Sequence, residues 1–206
     1  SYVVARRAEL LGKRVLDTSD AIRICCDKVN MDRHVQQAGV PIPATRILDQ
    51  VDVTLRMAGG LFEELGTPLV LKAPNSSFSA FVDKVASPEE FVRVGKRFLR
   101  RADRIVVQQY LPSAFDWRVV TLHGKVLAVV EYRFAADAWK VMQRGVEGEH
   151  AITRAVPRDE APQGLLDVAL SAANATCLLA IDADAGPSLT TKRSGVDCPW
   201  SARRCP

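Results

Sequence analysis

The spacing of apolar residues predicts helices in the first third of the chain. Side chains that recur every three or four positions predict three helices, over residues 1–15, 19–38 and 51–65. Ser19 or Asp20 is suited to cap the second helix, and Pro41 and Pro43 impose an extended path after it.

The hydrophobic period changes at Pro68 to the alternation of strands. Strands are predicted over residues 68–73, 81–85, 104–110, 116–122 and 125–132, and helices over residues 87–102 and 161–179. Ser87 with Glu90 predicts a capping box, and His123-Gly124 predicts a tight hairpin turn. Residues 133–149 and the tail from Ala183 are predicted to be irregular. This order predicts a mixed antiparallel α+β fold rather than a doubly wound parallel sheet.

The composition is that of a globular protein with a core of its own. The 206 residues are 48% hydrophobic and 25% charged, and a net charge of +4 is too balanced to indicate nucleic acid. No apolar run is long enough to cross a bilayer, and the first residues do not form a signal peptide. Five cysteines without a C-x-x-C pattern indicate free thiols. We therefore expect a cytoplasmic protein with neither a nucleic acid nor a membrane as partner.

The stretch "PLVLKAPNSSFSAFVDKV" is the first candidate for chemistry. Lys72 ends an apolar strand, a loop of small polar residues follows, and Lys84 lies on the next strand. One interpretation is a lysine that reaches solvent at a strand end. The other is an anion site, because two cations and a loop rich in backbone N–H groups suit a polyphosphate.

Other polar residues at strand and helix ends allow two interpretations each. Lys28 follows Asp27 early in a helix, and its simpler interpretation is an exposed charge on a solvated helix surface. Asp116 and Arg118 lie two apart on a strand and share one face, either as a surface ion pair or as ligands of a ribose and a phosphate. Arg133 ends the following strand and is expected to converge on the same site.

Four segments, in this order, resemble the ATP-grasp superfamily, and most of all its RimK-type branch of alpha-L-glutamate ligases and related carboxylate–amine ligases. They are "CDKVNMDRHVQQAGVPIPAT", "LVLKAPNSSFSAFVDKV", "IVVQQYLPSAFDWRVV" and "VLAVVEYR" with Trp139-Lys140 downstream. The resemblance implies two α+β subdomains that grip ATP. It implies a remnant of a preceding domain in residues 1–25, subdomains at 26–111 and 112–182, the second incomplete, and an irregular tail at 183–206.

The resemblance also implies roles for individual residues. Lys28 and Lys72 would contact the ATP phosphates, and Asp116 would lie near the ribose. The loop that covers the phosphates would include Asn75, Ser76, Ser77 and Ser79. The hinge that holds the adenine would be formed by Gln108, Gln109, Tyr110 and Leu111.

The remaining implied roles concern catalysis and the metal. Arg118 and Arg133 would act as catalytic groups near the phosphates or the acyl-phosphate. Lys140 would contact the nucleotide, Trp139 would line the acceptor side, and Asp182, with Asp184 as a further candidate, would bind Mg²⁺.

Two departures from the family pattern are present. Phe78, Ala80 and Phe81 stand where the family's phosphate loop usually has glycine. No Glu-x-Asn pair follows the last predicted helix, and Glu160 is the last glutamate. We interpret the tail as a truncation or a changed reading frame.

Three functions are therefore compatible with the sequence. The first is an ATP- and Mg²⁺-dependent ligase that joins a carboxylate to an amine through an acyl-phosphate, with small molecules or peptides as substrates. The second is an ATP-grasp remnant that binds nucleotide with little or no turnover. The third is an α+β protein without a nucleotide. A homo-oligomer is expected on resemblance alone.

Overall fold

The computed structural model describes residues 2–76, 81–134, 152–176 and 180–185, the last of these ranges by its backbone. Helices are α1 (Tyr2–Leu10), α2 (Ser19–Cys25), α3 (Lys28–Gln37), α4 (Leu55–Leu65), α5 (Pro88–Leu99) and α6 (Gln163–Ala175). Strands are β1 (Thr45–Asp49), β2 (Leu69–Lys72), β3 (Val82–Val85), β4 (Arg104–Gln109), β5 (Phe115–Leu122), β6 (Lys125–Arg133), β7 (Ile152–Val156) and β8 (Ala180–Ala185).

The predicted helix over residues 19–38 is wrong, because the chain forms two helices there. Thr18 caps α2, and Asp27 begins α3 by accepting hydrogen bonds from the N–H groups of Val29 (2.8 Å) and Asn30 (3.4 Å). An aspartate in extended conformation ends one helix and starts the next. The break places Lys28 in the first turn of α3.

The first sheet has the strand order β1-β4-β2-β3, and its described neighbours are antiparallel. Leu69, Leu71, Ile105 and Val107 alternate onto one face and pack with α4 and α5 in one buried cluster. Helix α5 begins as predicted, since Ser87 Oγ accepts from Glu90 N–H at 3.3 Å. The Glu90 carboxylate accepts from Ala86 N–H (2.9 Å), one residue before the expected partner.

The second sheet has the order β7-β6-β5-β8, again antiparallel. Its β5–β6 hairpin turns at His123 (φ 48°) and Gly124 (φ 71°), the left-handed pair that a tight hairpin requires. Trp117, Val119 and Val129 point to the face that packs against Leu165 and Leu166 of α6.

Three strands were not predicted, and they have a common cause. Leu48 is the buried residue of β1, and Val156 is the buried residue of β7. Edge strands with one buried residue lack the alternation that signals a strand. Strand β8 is built from Ala, Asp and Ile, which gives it low strand propensity, and it extends to Ala185, into the stretch predicted to be irregular.

Within the described residues, no helix combines the length and apolar character needed to span a bilayer.

Candidate functional site

The face of the first sheet that is turned away from α4 and α5 carries polar side chains. Thr45 lies opposite Gln108, Gln108 lies opposite Val70, and Val70 lies opposite Lys84. Lys72 is two residues after Val70 and shares this face. We call it the cleft face. A face that carries two lysines and a glutamine is not a second hydrophobic core.

Lys72 lies half-buried at the end of β2. Its Nζ donates to Gln108 Oε1 at 2.6 Å. Burial lowers the pKa of the Lys72 ammonium, while the carboxylates of Asp32 and Asp116 oppose that shift. Because Asp32 belongs to α3 and Asp116 to β5, Lys72 stands where three parts of the chain meet.

Lys28 is anchored to the start of the predicted phosphate loop. Its backbone N–H donates to Pro74 O at 3.1 Å. Its Nζ donates to Ser76 Oγ at 3.0 Å and also to Ser76 O. Burial lowers the pKa of Lys28, and the nearby charge of Lys72 lowers it further. The structure therefore brings together the two lysines that the sequence singled out.

Asp27 fixes the end of α3 that carries Lys28. Besides capping the helix, its carboxylate accepts from Arg104 Nη2 of β4 at 3.0 Å. Arg104 lies on the cleft face, because alternation along β4 places it with Gln108. This ion pair holds the first turn of α3 against the cleft face.

Asp32 is a site residue that the sequence analysis missed. Burial raises the pKa of its carboxyl group, and Lys72 and Lys28 oppose the shift. Asp32 follows Lys28 by four residues, which places both on one side of α3. That spacing was the signal available in the sequence, but an i, i+4 pair is common on solvated helices.

The predicted hinge, Gln108 to Leu111, lies at the end of β4. The Gln108 side chain is buried among the other side chains of the cleft face, and only 8% of the residue is exposed. The N–H of Gln109 donates to Ala44 O at 2.9 Å, so this donor is already used. Tyr110 lies beneath Lys84, whose Nζ is 4.8 Å from the ring centroid. Leu111 follows β4 and is half-buried.

Asp116 and Arg118 share one face of β5, as the alternation of the strand predicted. Arg118 Nη1 donates to Tyr132 Oη at 3.0 Å, and its guanidinium lies 4.6 Å from the centre of that ring. The charge of Asp116 raises the pKa of Lys72, so this face of β5 lies near the end of β2.

Arg133 is not brought together with Arg118. It alternates with Tyr132 and therefore belongs to the face of Glu131, Trp117 and α6. Its Nε pairs with Glu131 Oε1, and its guanidinium lies 5.7 Å from the Phe115 ring. The position of Arg133 at a strand end was predicted correctly, but the sheet face to which it belongs was not.

Glu131 is the carboxylate that pairs with Arg133. It is 2% exposed and also accepts from Arg154 Nη2 of β7 at 2.9 Å. The hydrogen bond from Arg154 holds the pKa of Glu131 below its usual value. We call Glu131, Arg133 and Arg154 the Glu131 cluster.

Several predicted site residues lie outside the described residues. They are Ser77, Ser79, Trp139 and Lys140. Of Asp182 and Asp184 only the backbone is described, and it pairs them with Val120 and Arg118. Within the described part of the chain, no three His, Cys, Asp or Glu side chains are grouped so as to hold a metal ion.

Solved structures and curated sequences resemble the chain over most of its length. The D-alanine–D-alanine ligase of Bacillus anthracis complexed with ATP superposes with a TM-score of 0.70 at 18% identity, covering 88% of this chain and 57% of that one. The ATP-grasp ligase PsnB, solved with a minimal precursor, superposes with a TM-score of 0.63 at 17% identity, over 91% of this chain and 55% of that one. The chain has the ATP-grasp fold. The mixed α+β architecture and the ATP-grasp fold predicted from the sequence are thereby confirmed.

A curated ligase sequence also resembles the chain. The tetrahydromethanopterin:alpha-L-glutamate ligase of Methanosarcina acetivorans is 20% identical over 175 residues, which are 81% of this chain and 54% of the relative. The chain thus spans about half the length of this relative. No protein-family model matches the chain.

Proposed function

We propose that this ATP-grasp chain acts in an ATP-dependent ligase that joins a carboxylate to an amine through an acyl-phosphate. One observation carries the proposal: Lys28 and Lys72, from two separate segments, converge beside the predicted phosphate loop, where their Nζ atoms donate to neutral oxygens of Ser76 and Gln108. Lysines that approach each other and are both partly desolvated suit a polyanion.

The proposed reaction has two steps. An oxygen of the substrate carboxylate attacks the γ-phosphorus of ATP, the bond to the β-phosphate oxygen breaks, and ADP leaves. The amine nitrogen then attacks the acyl carbon, the acyl–phosphate bond breaks, and phosphate leaves as the amine loses a proton. Lys28, Lys72 and Arg118 supply positive charge along the phosphates, and catalysis rests on this positioning.

Arg133 keeps a proposed role only if it leaves the Glu131 cluster. Its pairing with Glu131 favours a structural role in this state of the protein. For the nucleotide base, the Gln108 side chain is engaged by Lys72 and Thr45, and the Gln109 N–H is used by Ala44. The Gln109 carbonyl and the backbone of Tyr110 and Leu111 are therefore the proposed adenine edge. Asp116 remains the proposed ribose contact. Asn75 to Ser79 and Lys140 remain proposed phosphate or nucleotide contacts.

Magnesium is proposed as the ion that accompanies ATP, and bound Mg²⁺ supplies neutralisation of phosphate charge. Asp182 is its candidate ligand. Since the described residues do not group three possible ligands, no step is assigned to the metal.

The substrates are proposed by similarity. Glutamate ligases and a D-alanine–D-alanine ligase among the similar proteins support an amino acid or peptide as carboxylate and amine. We propose a cytoplasmic site of action, supported by cysteines without a disulfide pattern. A homo-oligomer is part of the proposal and is tested by sedimentation.

The function is tested in two stages on the 206-residue chain. Calorimetry with ATP, with and without Mg²⁺, measures binding. Incubation with ATP, L-glutamate or D-alanine, and hydroxylamine traps an acyl-phosphate as a hydroxamate. Binding with hydroxamate formation supports the ligase, and binding alone supports the nucleotide-binding alternative. Absence of ATP binding contradicts both.

A further inference from the structure

A row of hydrogen bonds crosses three strands on the cleft face. Lys72 Nζ on β2 donates to Gln108 Oε1 on β4 at 2.6 Å. Gln108 Nε2 donates to Thr45 Oγ1 on β1 at 2.9 Å, and Thr45 Oγ1 donates to Pro43 O at 2.7 Å. The row follows the strand order β1-β4-β2 and ends on a backbone carbonyl.

The chemistry of the two ends fixes the orientation of the Gln108 amide. A proline carbonyl only accepts, so the single hydroxyl hydrogen of Thr45 is used there, and Thr45 Oγ1 is left to accept. The amide must then present its NH₂ group to Thr45. An ammonium only donates, so the amide carbonyl must face Lys72. Both ends require the same orientation.

A neutral acceptor has a specific advantage beside this lysine. It stabilises the charged form of a half-buried ammonium through a hydrogen bond, yet it adds no negative charge that would compete with an anionic ligand. A carboxylate at the same distance would cancel it, as Glu131 does for Arg133 and Arg154.

We propose that Gln108 is a positioning residue whose side-chain carbonyl, oriented by Thr45, holds the Lys72 ammonium charged and available at the phosphate site. The inference rests on the proposed nucleotide binding of this site. It assigns the Gln108 side chain to Lys72 rather than to the adenine edge.

Other charged groups that face Lys72 remain the same in all variants below. They are Lys28 and Asp32 on α3, Asp116 on β5, and Lys84 and Arg104 on the same sheet face. A difference between variants at position 108 therefore reports the contact with Gln108.

The first measurement is the titration of Lys72 without nucleotide. In protein labelled with ¹³C-lysine, the Lys72 signal is assigned by its loss in Lys72→Met and followed from pH 7 to pH 11. Gln108→Glu should raise the Lys72 pKa, because an anion replaces a neutral acceptor. Gln108→Met should lower it, because the charged form loses its acceptor. Gln109→Glu adds the same charge one residue on, on the opposite face of β4, and should leave the Lys72 pKa close to that of wild type.

The second measurement is ATP affinity by calorimetry at pH 7.5 and pH 9. Gln108→Met should weaken binding about tenfold at pH 7.5, equivalent to the loss of one hydrogen bond to a charged group, and more at pH 9. Gln108→Glu should weaken ATP binding at both pH values. Between pH 7.5 and pH 9 its ATP affinity should fall less than that of wild type. If Gln108 had a merely structural role, the two substitutions would not change the pH dependence of ATP affinity in opposite directions.

Thr45 provides a second test if the Gln108 variants fail to fold. Thr45→Val removes the group that orients the amide and should lower the Lys72 pKa, whereas Thr45→Ser keeps the hydroxyl and should not. Equal Lys72 titrations in wild type, both Gln108 variants and Thr45→Val would overturn the inference. Failure of the wild type to bind ATP would instead overturn the proposed function, with the titration still deciding the role of Gln108.

Discussion

The cleft face and the Glu131 cluster treat charge in opposite ways. At the cleft face, Nζ of Lys72 donates to Gln108 and Nζ of Lys28, from the adjoining helix α3, donates to Ser76, so both lysines contact neutral oxygens. In the Glu131 cluster, one buried carboxylate is paired with two arginines. In the first arrangement the hydrogen-bond acceptors carry no charge, and Asp32 and Asp116 act on Lys72 as nearby charges. In the second arrangement a carboxylate is itself the partner of both arginines. A ligand-binding role is therefore expected on the cleft face and a structural role in the Glu131 cluster.

The largest effect is expected on ATP binding when a cleft lysine is removed. Lys72→Met should weaken ATP binding about 100-fold, since truncating one partner of a desolvated charge pair costs roughly 2–5 kcal/mol. The free energy of unfolding should stay the same or rise slightly, because a partly desolvated ammonium is removed. Calorimetry and urea unfolding measure the two effects. The matched control is Lys125→Met, at the exposed start of β6, which should change neither.

The second-largest effect is expected on the stability of the protein rather than on ATP binding. Glu131→Gln should lower the free energy of unfolding by about 2 kcal/mol, the range for hydrogen bonds to a charged group, and leave ATP affinity unchanged. Urea unfolding and calorimetry are again the measurements. A large loss of ATP affinity with unchanged stability would show that the Glu131 cluster belongs to the binding site.

The pH dependence of stability tests whether the Glu131 cluster stabilises the fold through its charges. The pKa of Glu131 is lower in the folded state than its ordinary value of 4.5. Its contribution to stability is therefore present above the unfolded-state pKa and is lost as pH falls through the folded-state pKa. The difference in unfolding free energy between wild type and Glu131→Gln should shrink as pH decreases from 6 to 3. A constant difference over that range would contradict the ionic origin of the stabilisation.

A smaller effect is expected from Asp32, the anion among the cleft lysines. Asp32→Asn should strengthen ATP binding about threefold at pH 7.5, because a carboxylate near Lys28 and Lys72 no longer competes with phosphate. Calorimetry measures the change, and Asp20→Asn on the exposed side of α2 is the matched control. Weaker binding in Asp32→Asn would show that Asp32 orients the lysines rather than competing for them.

The smallest effect is expected from Lys84. Its exposed ammonium lies over the Tyr110 ring, an arrangement worth about 0.5–1 kcal/mol at exposed sites. Lys84→Met should therefore weaken ATP binding less than fivefold in calorimetry. A loss as large as that of Lys72→Met would make Lys84 a direct phosphate ligand.

Local patterns in the sequence were sufficient for part of this protein. The capped start of α5, the β5–β6 hairpin and the paired strands around Lys72 follow from neighbouring residues, because caps, turns and alternation act over a few positions. The ordered motifs also predicted the ATP-grasp fold and singled out Lys28 and Lys72, whose role in binding ATP stays a prediction.

Other features depend on contacts between distant segments. Edge strands β1 and β7 bury too little to show a pattern and are defined by their neighbours. Arg133 and Arg118 both looked suited to one site, but the pleat of β5 and β6 puts them on opposite faces, and Glu131 takes Arg133. Asp32 and the buried Gln108 side chain come close to Lys72 only because α3 and three strands pack together. The hydrogen bond and the desolvation of Lys72 both depend on this packing between distant segments, so they were decided by the tertiary structure.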